Sequence, residues 1–252
     1  QLIKLAIFNA NQVIENKIGK SEKYDYAMQN LSHYLGLHKS NLLIEGYDIS
    51  HHSGKYAVAS LVKFSNHGPE KKLYKLYNIP AIYSGNDIGS MKNVLERRVQ
   101  RTQENPLPDI ILIDGGLAQL NAAIDTFRVD ENKVPVILSI VKGANRVRAT
   151  ETILSEKGIL EIPVNSPAFN LLQQIRDESH RYAITNNRKK KNKSVAYSIL
   201  DEIDGLGPKK KKSLLRQFKS IRALKASSVE DLCIVNGISV KLAIKIKNVL
   251  NA

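Results

Sequence analysis

Acidic residues are scarce near the end of this chain. Residues 181–252 hold 5 Asp and Glu against 17 Lys and Arg, whereas residues 1–180 hold 19 against 21, so nearly all of the formal charge of +14 sits in the last 72 residues. Such a region is poorly suited to a cationic partner and well suited to a polyanion. The clusters Arg188 to Lys193 and Lys209 to Lys212 would release counterions on binding, with affinity falling by roughly 0.9 log units per phosphate contact per log unit of salt. Cysteine is nearly absent: the single Cys233 excludes an internal disulfide framework. No apolar run is long enough to cross a bilayer and nothing at the start reads as a signal peptide, so the expected location is cytoplasmic, with no membrane partner. Because the first residue is Gln1 and Leu2 to Phe8 already reads as the middle of a helix, the sequence is expected to be the C-terminal part of a longer protein.

With 252 residues, 42% of them hydrophobic, the chain can bury one substantial core and a smaller second one. The smaller one carries a repeat. Ile203-Asp204-Gly205-Leu206-Gly207 recurs as Val235-Asn236-Gly237-Ile238-Ser239, 32 residues on, each followed by a lysine-bearing helical pattern. Leu214, Leu215 and Phe218 correspond in spacing to Ile246, Lys247 and Leu250. A glycine turn between amphipathic helices is a common way to end a helix. Duplicated beside heavy positive charge, it reads as a paired phosphate grip, with close backbone approach at the turn and unpaired amides at the next helix start. Lys209 to Lys212 opens a helix, where positive charge opposes the helix dipole unless an anion lies nearby. The expected residues of this grip are Gly205, Gly207, Lys209, Lys210, Lys211, Gly237, Ser239 and Lys241, and DNA backbone is the expected anion.

Upstream, residues 2 to 37 carry helix-type spacing, with Tyr24, Met28, Leu31 and Leu35 on one face. Strand-like runs follow at Leu42 to Ser50, Tyr56 to Phe64 and Leu73 to Ile79, separated by His52-Ser53-Gly54 and Asn66-His67-Gly68-Pro69, which predicts an antiparallel meander. Ile88 to Arg101 and Leu117 to Phe127 read as helices, Asp109 to Ile113 and Val134 to Val141 as buried strands. Ser166 to Ile184 is a helix whose packed face is Ala168, Leu171, Leu172, Ile175 and Ala183. The expected class is α/β, a mixed sheet flanked by helices, followed by a small all-α domain. The expected boundaries are a helical lead-in at 1–40, the sheet domain at 41–185, a polar, basic and mobile linker at 186–194, and the helical domain at 195–252.

Two aspartates stand out on the strands. The period of two puts Asp48 on the face of Ile44 and Gly46, and Asp114 ends an apolar strand just before Gly115-Gly116. A carboxylate at the end of a buried strand needs a cation, a hydrogen-bond network or a helix N-terminus to offset desolvation. Asp114 alone has a second reading, as a cap of the next helix. Two such residues from different strands point to a hard divalent cation, Mg²⁺ or Mn²⁺. On the Ser166 helix, Arg176, Asp177 and His180 lie off the packed face, and His180 is singled out by its place in Arg-Asp-Glu-Ser-His just before the basic run.

The chain resembles the C-terminal half of the UvrC family, the incision subunits of bacterial nucleotide-excision repair. The resemblance is carried by Tyr47-Asp48-Ile49-Ser50-His51, Tyr77-Asn78-Ile79, Asp87 followed by Met91 and Leu95-Glu96-Arg97-Arg98, Leu112-Ile113-Asp114-Gly115-Gly116 with Gln119-Leu120, Lys142-Gly143-Ala144, Asn165-Ser166-Pro167-Ala168, Ile175-Arg176-Asp177-Glu178-Ser179-His180-Arg181 and the paired hairpins. These occur in family order from about residue 40 onward. The resemblance implies a ribonuclease H-like endonuclease domain and a tandem helix-hairpin-helix domain. It implies metal-dependent cleavage of damaged double-stranded DNA on the 5′ side of a lesion, in partnership with UvrB and with UvrA upstream.

Carried over residue by residue, the family's catalytic aspartates fall on Asp48 and Asp114, its catalytic histidine on His180, and a further acidic residue implicated in incision on Asp87. From the residues alone, Asp87 reads as a loop aspartate or N-cap. The chain departs from the family at Asn86 and Leu117, where a second acidic residue and a lysine are often found, and the second hairpin has Ser239 where the first has Gly207, a familiar variation that makes the two grips unequal. Two rival readings exist. A non-catalytic DNA-binding scaffold accounts for the hairpins but not for Asp48 and Asp114. Another ribonuclease H-like enzyme, such as a junction resolvase or an RNA nuclease, accounts for the carboxylates but not for the hairpins.

Overall fold

The computed structural model describes residues 19, 21–52, 56–83, 85–128, 134–142 and 151–251. The helical reading of residues 2 to 18 lies outside them, as do most of the His52-Ser53-Gly54 turn and Gly143-Ala144. The chain divides into two compact units, Gln1–Ile184 and Thr185–Ala252.

The first unit opens with helix α1 (residues 21–34). Next come strands β1 (Ile44–His52), β2 (Tyr56–Ser65), β3 (Gly68–Pro69) and β4 (Lys75–Asn78), with a short 3-10 turn at Lys71–Leu73 before β4. Helix α2 (Asp87–Val99), β5 (Ile110–Asp114), α3 (Leu117–Phe127), β6 (Val136–Lys142), β7 (Glu151–Ser155) and β8 (Gly158–Leu160) lead to α4 (Pro167–Asp201). Among the described residues the eight strands form one sheet in the order β3-β2-β1-β5-β6-β7-β8, with β4 also pairing β2. β1 is antiparallel to β2 and parallel to β5, β5 is parallel to β6, and β7 and β8 return antiparallel. The meander and the mixed sheet follow the predicted pattern. The hairpin of β7 and β8 has no counterpart in the sequence reading: its strands are short, and only Ile153 is fully buried within it.

The strand alternation builds two cores, one on each face. Ile44, Val62, Phe64, Ile110, Leu112, Leu138 and Ile140 pack with Met28 and Leu31 of α1 and Leu171, Leu172 and Ile175 of α4. Tyr47, Leu61, Ile111, Ile113 and Ile137 pack with Met91 and Leu95 of α2 and Leu120 and Phe127 of α3. β5 contributes to both cores, which is why Ile110 to Ile113 reads as an unbroken apolar run.

β1 and β2 also bury charge on the second face. Glu45 and Lys63 are cross-strand partners, with 2.9 Å between carboxylate and ammonium. Arg98 of α2 grips the same carboxylate through Nε at 2.9 Å and Nη2 at 3.0 Å, and Tyr47 donates to it at 2.8 Å. Arg98 is further held by the carbonyls of Asn105 and Pro106. Burial pushes the Glu45 carboxyl up, but the Arg98 hydrogen bonds and the Arg98 and Lys63 charges outweigh it and hold it below the usual range.

α4 runs through the predicted linker. Residues 186–194, expected as a mobile connection, lie inside this 35-residue helix. The cause is compositional: from Ala168 to Asp201 there is no glycine or proline to break the helix, and Lys and Arg are good helix formers. The second unit continues with α5 (Pro208–Phe218), α6 (Ile221–Ala226), α7 (Val229–Cys233) and α8 (Val240–Asn251) around Leu200, Leu206, Leu214, Leu232, Ile238 and Ile246.

Candidate metal centre and nucleic-acid interface

Asp48, Asp114 and His180 each turn one ligand atom into a common space, and those atoms all lie within 4.8 Å of one another. Each arrives by a different route. β1 and β5 are parallel neighbours, so Asp48 and Asp114 project from adjacent strands on the face covered by α4. α4 then brings His180 across that face. Asp48 is 5% exposed, Asp114 half-buried, and the His180 side chain 55% exposed, so the group opens from a buried carboxylate to an accessible imidazole. His180 Nδ1 lies 3.5 Å from Asp48 Oδ2, and the Ser50 hydroxyl donates to the same oxygen at 2.7 Å.

The donor set fits a hard divalent ion. With bonds of about 2.1 Å, an octahedral ion spaces its ligand atoms about 3 to 4.2 Å apart, so only a small contraction of the group is required. Two carboxylate oxygens and one imidazole also match the oxygen-rich preference of Mg²⁺ and Mn²⁺.

Asp114 does not cap the next helix. The N-cap of α3 is Gly116, whose amide donates to Gln119 Oε1 at 2.9 Å, and Asp114 closes β5. The buried Ser139 of β6 binds the Gly115 carbonyl, which ties down the turn that follows Asp114. Asp87 is not a member of the three-residue group. Nor is it the helix cap: Asn86 caps α2 by accepting from the Gly89 amide at 2.8 Å, and Asp87 is the exposed first residue of the helix.

The hairpins repeat in geometry as well as in sequence. Gly205 and Gly237 have φ of +85° and +84°, the left-handed region that a glycine at the third turn position supplies. The turns close through Leu206 N to Ile203 O at 3.1 Å and Ile238 N to Val235 O at 3.0 Å. Gly207 and Ser239 then stand at the starts of α5 and α8, their carbonyls accepting from Lys211 and Ala243. Ser239 adds a side-chain cap to Leu242 at 3.3 Å. The two copies also cross over: a Cβ on Gly205 would meet Leu242, and one on Gly237 would lie 3.5 Å from Lys210 Cε, residues at the same offset in opposite copies.

The candidate lysines divide by environment. Lys209 and Lys241 are exposed, while Lys210 reaches back to the Gly205 carbonyl at 3.2 Å. Lys211 is 11% exposed and paired with Asp201, so its charge is committed inside the unit. The spacing of Lys211 with the buried Ala243 of the second copy, 32 residues on, is the signal that marks it as inward-facing.

Residues 32–184 match the family model of the UvrC RNase H endonuclease domain. The chain belongs to the UvrC endonuclease-domain family. Residues 197–252 of this UvrC-family chain match the SAM-like helix-hairpin-helix tandem. The UvrABC system protein C of Pseudomonas protegens is 38% identical over 246 residues, which are 95% of this chain and 40% of that protein. The same protein of Serratia proteamaculans is 39% identical over 256 residues, 98% of this chain and 42% of that one. The chain thus spans about two fifths of the length of these curated relatives. A solved endonuclease V of Ciona intestinalis, bound to inosine-containing DNA, is similar at a TM-score of 0.39 and 11% identity, covering 59% of this chain and 86% of that one. The mixed sheet of the UvrC-family chain is ribonuclease H-like, and a small helix-hairpin-helix region follows it.

Around the UvrC-type group lie supports that spacing did not single out. Glu151 of β7 binds Arg176 and accepts from Gln173 Nε2 at 2.9 Å, joining α4 to the sheet edge one turn before His180. Ser60 of β2 donates to the Ser179 carbonyl at 2.9 Å. Periodicity could mark Ser60 as inward-facing on its strand. It carries no information about a partner 119 residues away.

Proposed function

We propose that this chain is the 5′-incision part of a UvrC-type protein, a metal-dependent DNA endonuclease that cuts beside a lesion already marked by UvrB. The observation that carries the reading is the convergence of Asp48, Asp114 and His180 on one space at the open end of adjacent parallel strands. Asp48 and Asp114 would hold Mg²⁺ or Mn²⁺, with His180 as third donor. When bound, such an ion activates water and stabilises the charge that develops on the phosphate and the departing 3′ oxygen. The protein's own work is positional. Ser50 fixes the Asp48 carboxylate, the Ser139 bond steadies the turn after Asp114, and α4 holds the His180 ring beside Asp48.

The hairpins would hold duplex DNA through its backbone, at Gly205, Gly207, Gly237 and Ser239 with Lys209, Lys210 and Lys241. Backbone contacts position a protein without reading sequence, so selectivity for damage must come from the partner, UvrB, loaded by UvrA. Asp87, at the exposed start of α2 and outside the three-residue group, would contribute to incision other than as a ligand of that ion. A scaffold that only binds DNA would not need a buried Asp48 facing Asp114. The testing experiment is incision of a pre-nicked, lesion-bearing duplex with and without UvrB and Mg²⁺. Cutting on the 5′ side that requires both is expected; cutting that ignores the lesion and UvrB, or that persists in chelator, would refute the proposal.

A further inference from the structure

α4 delivers His180 across a sheet it touches mainly through apolar side chains, with Arg176 and Gln173 held to Glu151 on β7, and apolar packing sets a helix's place along its own axis less sharply than a hydrogen bond does. Burial is non-directional, whereas a hydrogen bond is confined in distance and angle. One such bond lies directly under the site. Ser60, fully buried on β2, donates to the carbonyl of Ser179, the residue before His180, at 2.9 Å. Ser60 is also the ladder partner of Asp48, and directly paired residues share a face. A single hydroxyl thus links the strand pair that carries the aspartate to the turn of helix that carries the histidine.

We infer that Ser60 is a positioning residue of the nuclease site, its hydroxyl setting the height and rotation at which α4 presents His180 to Asp48. The inference rests on the reading of Asp48, Asp114 and His180 as a metal site.

Three further features agree with it. Ser179 is itself 1% exposed and spends its own hydroxyl on the Arg176 carbonyl at 2.7 Å, so its carbonyl meets Ser60 with no competing side chain of its own. One turn earlier on the same row of α4, Ile175 sits on Gly46, where a Cβ would lie 2.5 Å from Ile175 Cγ2. The glycine lets the helix come close, and the serine sets where it stops. Val62 and Phe64, which follow Ser60 on this β2 face, are apolar core, where alanine would satisfy packing and a hydroxyl is needed only if it has a partner.

The test compares wild type, Ser60→Ala, Asp114→Asn and the control Ile124→Val, a conservative core change on α3. Mn²⁺ affinity is read from the free-ion electron paramagnetic resonance signal. Cleavage is read in single turnovers on lesion duplex loaded with UvrB, and DNA affinity is read separately. Ser60→Ala is expected to bind Mn²⁺ about tenfold more weakly and to cleave about 10–100-fold more slowly with DNA affinity unchanged, while Ile124→Val matches wild type in all three. Wild-type metal affinity and rate in Ser60→Ala, with only a lowered melting temperature, would reduce Ser60 to packing and overturn the inference. Absence in wild type of any Mn²⁺ affinity that Asp114→Asn removes would overturn the metal-site reading itself, and this inference with it.

Discussion

At the scale of the residue, what matters is where each charge goes. β1 carries two carboxylates on opposite faces: Asp48 turns toward α4 and Glu45 toward α2. Asp48 was legible as a candidate for the three-residue group because period two aligned it with Ile44 and Gly46, and because a second aspartate ended another strand. Glu45 was not, since its partners Lys63 and Arg98 lie 18 and 53 residues away and look in sequence like ordinary surface charges. Its role is stability. The carboxyl is held below its ordinary value of 4.5, so its contribution is complete above pH 4.5 and is lost as pH falls through the depressed value. Urea unfolding of wild type and Glu45→Gln should therefore differ most at neutral pH and converge progressively below pH 4.5. A gap that stays constant down to pH 3 would contradict this. Arg98→Met should cost about 3–5 kcal/mol in the same measurement, because it leaves a buried carboxylate short of its main partner.

At the scale of the element, α4 and the hairpins show where periodicity informs and where it misleads. The apolar face of α4 was readable to Ala183, but its continuation was hidden by the basic run, whose polarity resembles a linker while its lack of glycine and proline favours helix. The hairpin turns were readable because a left-handed position calls for glycine, and both copies have it. The lysine cluster after the first turn was readable as charge but not as three different environments, exposed at Lys209 and Lys212, half-buried at Lys210 and buried at Lys211. Lys209→Ala should lower the log–log salt slope of DNA binding by about 0.9, the loss of one phosphate contact. Lys211→Ala, which breaks the pair with Asp201, should leave that slope unchanged and lower the melting temperature instead. Equal slope changes in the two variants would contradict the assignment of Lys211 to the interior.

At the scale of the whole molecule, the sequence segregates chemistry by region. The acidic site sits in the sheet unit, and nearly all of the net positive charge follows it. Alternating apolar strands and helical stripes made the order of most elements legible. The β7–β8 hairpin was missed because short strands at a sheet edge bury too little to leave a pattern, although Glu151 on β7 anchors α4 next to the site. The three-residue centre required contacts between positions 48, 114 and 180, and such long-range contacts follow from topology rather than spacing. The most direct test of this account is strand cleavage by Asp114→Ala beside wild type, on UvrB-loaded lesion duplex with Mg²⁺ and at matched DNA occupancy. The account predicts that the variant binds the DNA about as well as wild type and makes no 5′ incision. Incision by the variant at the wild-type rate would contradict it.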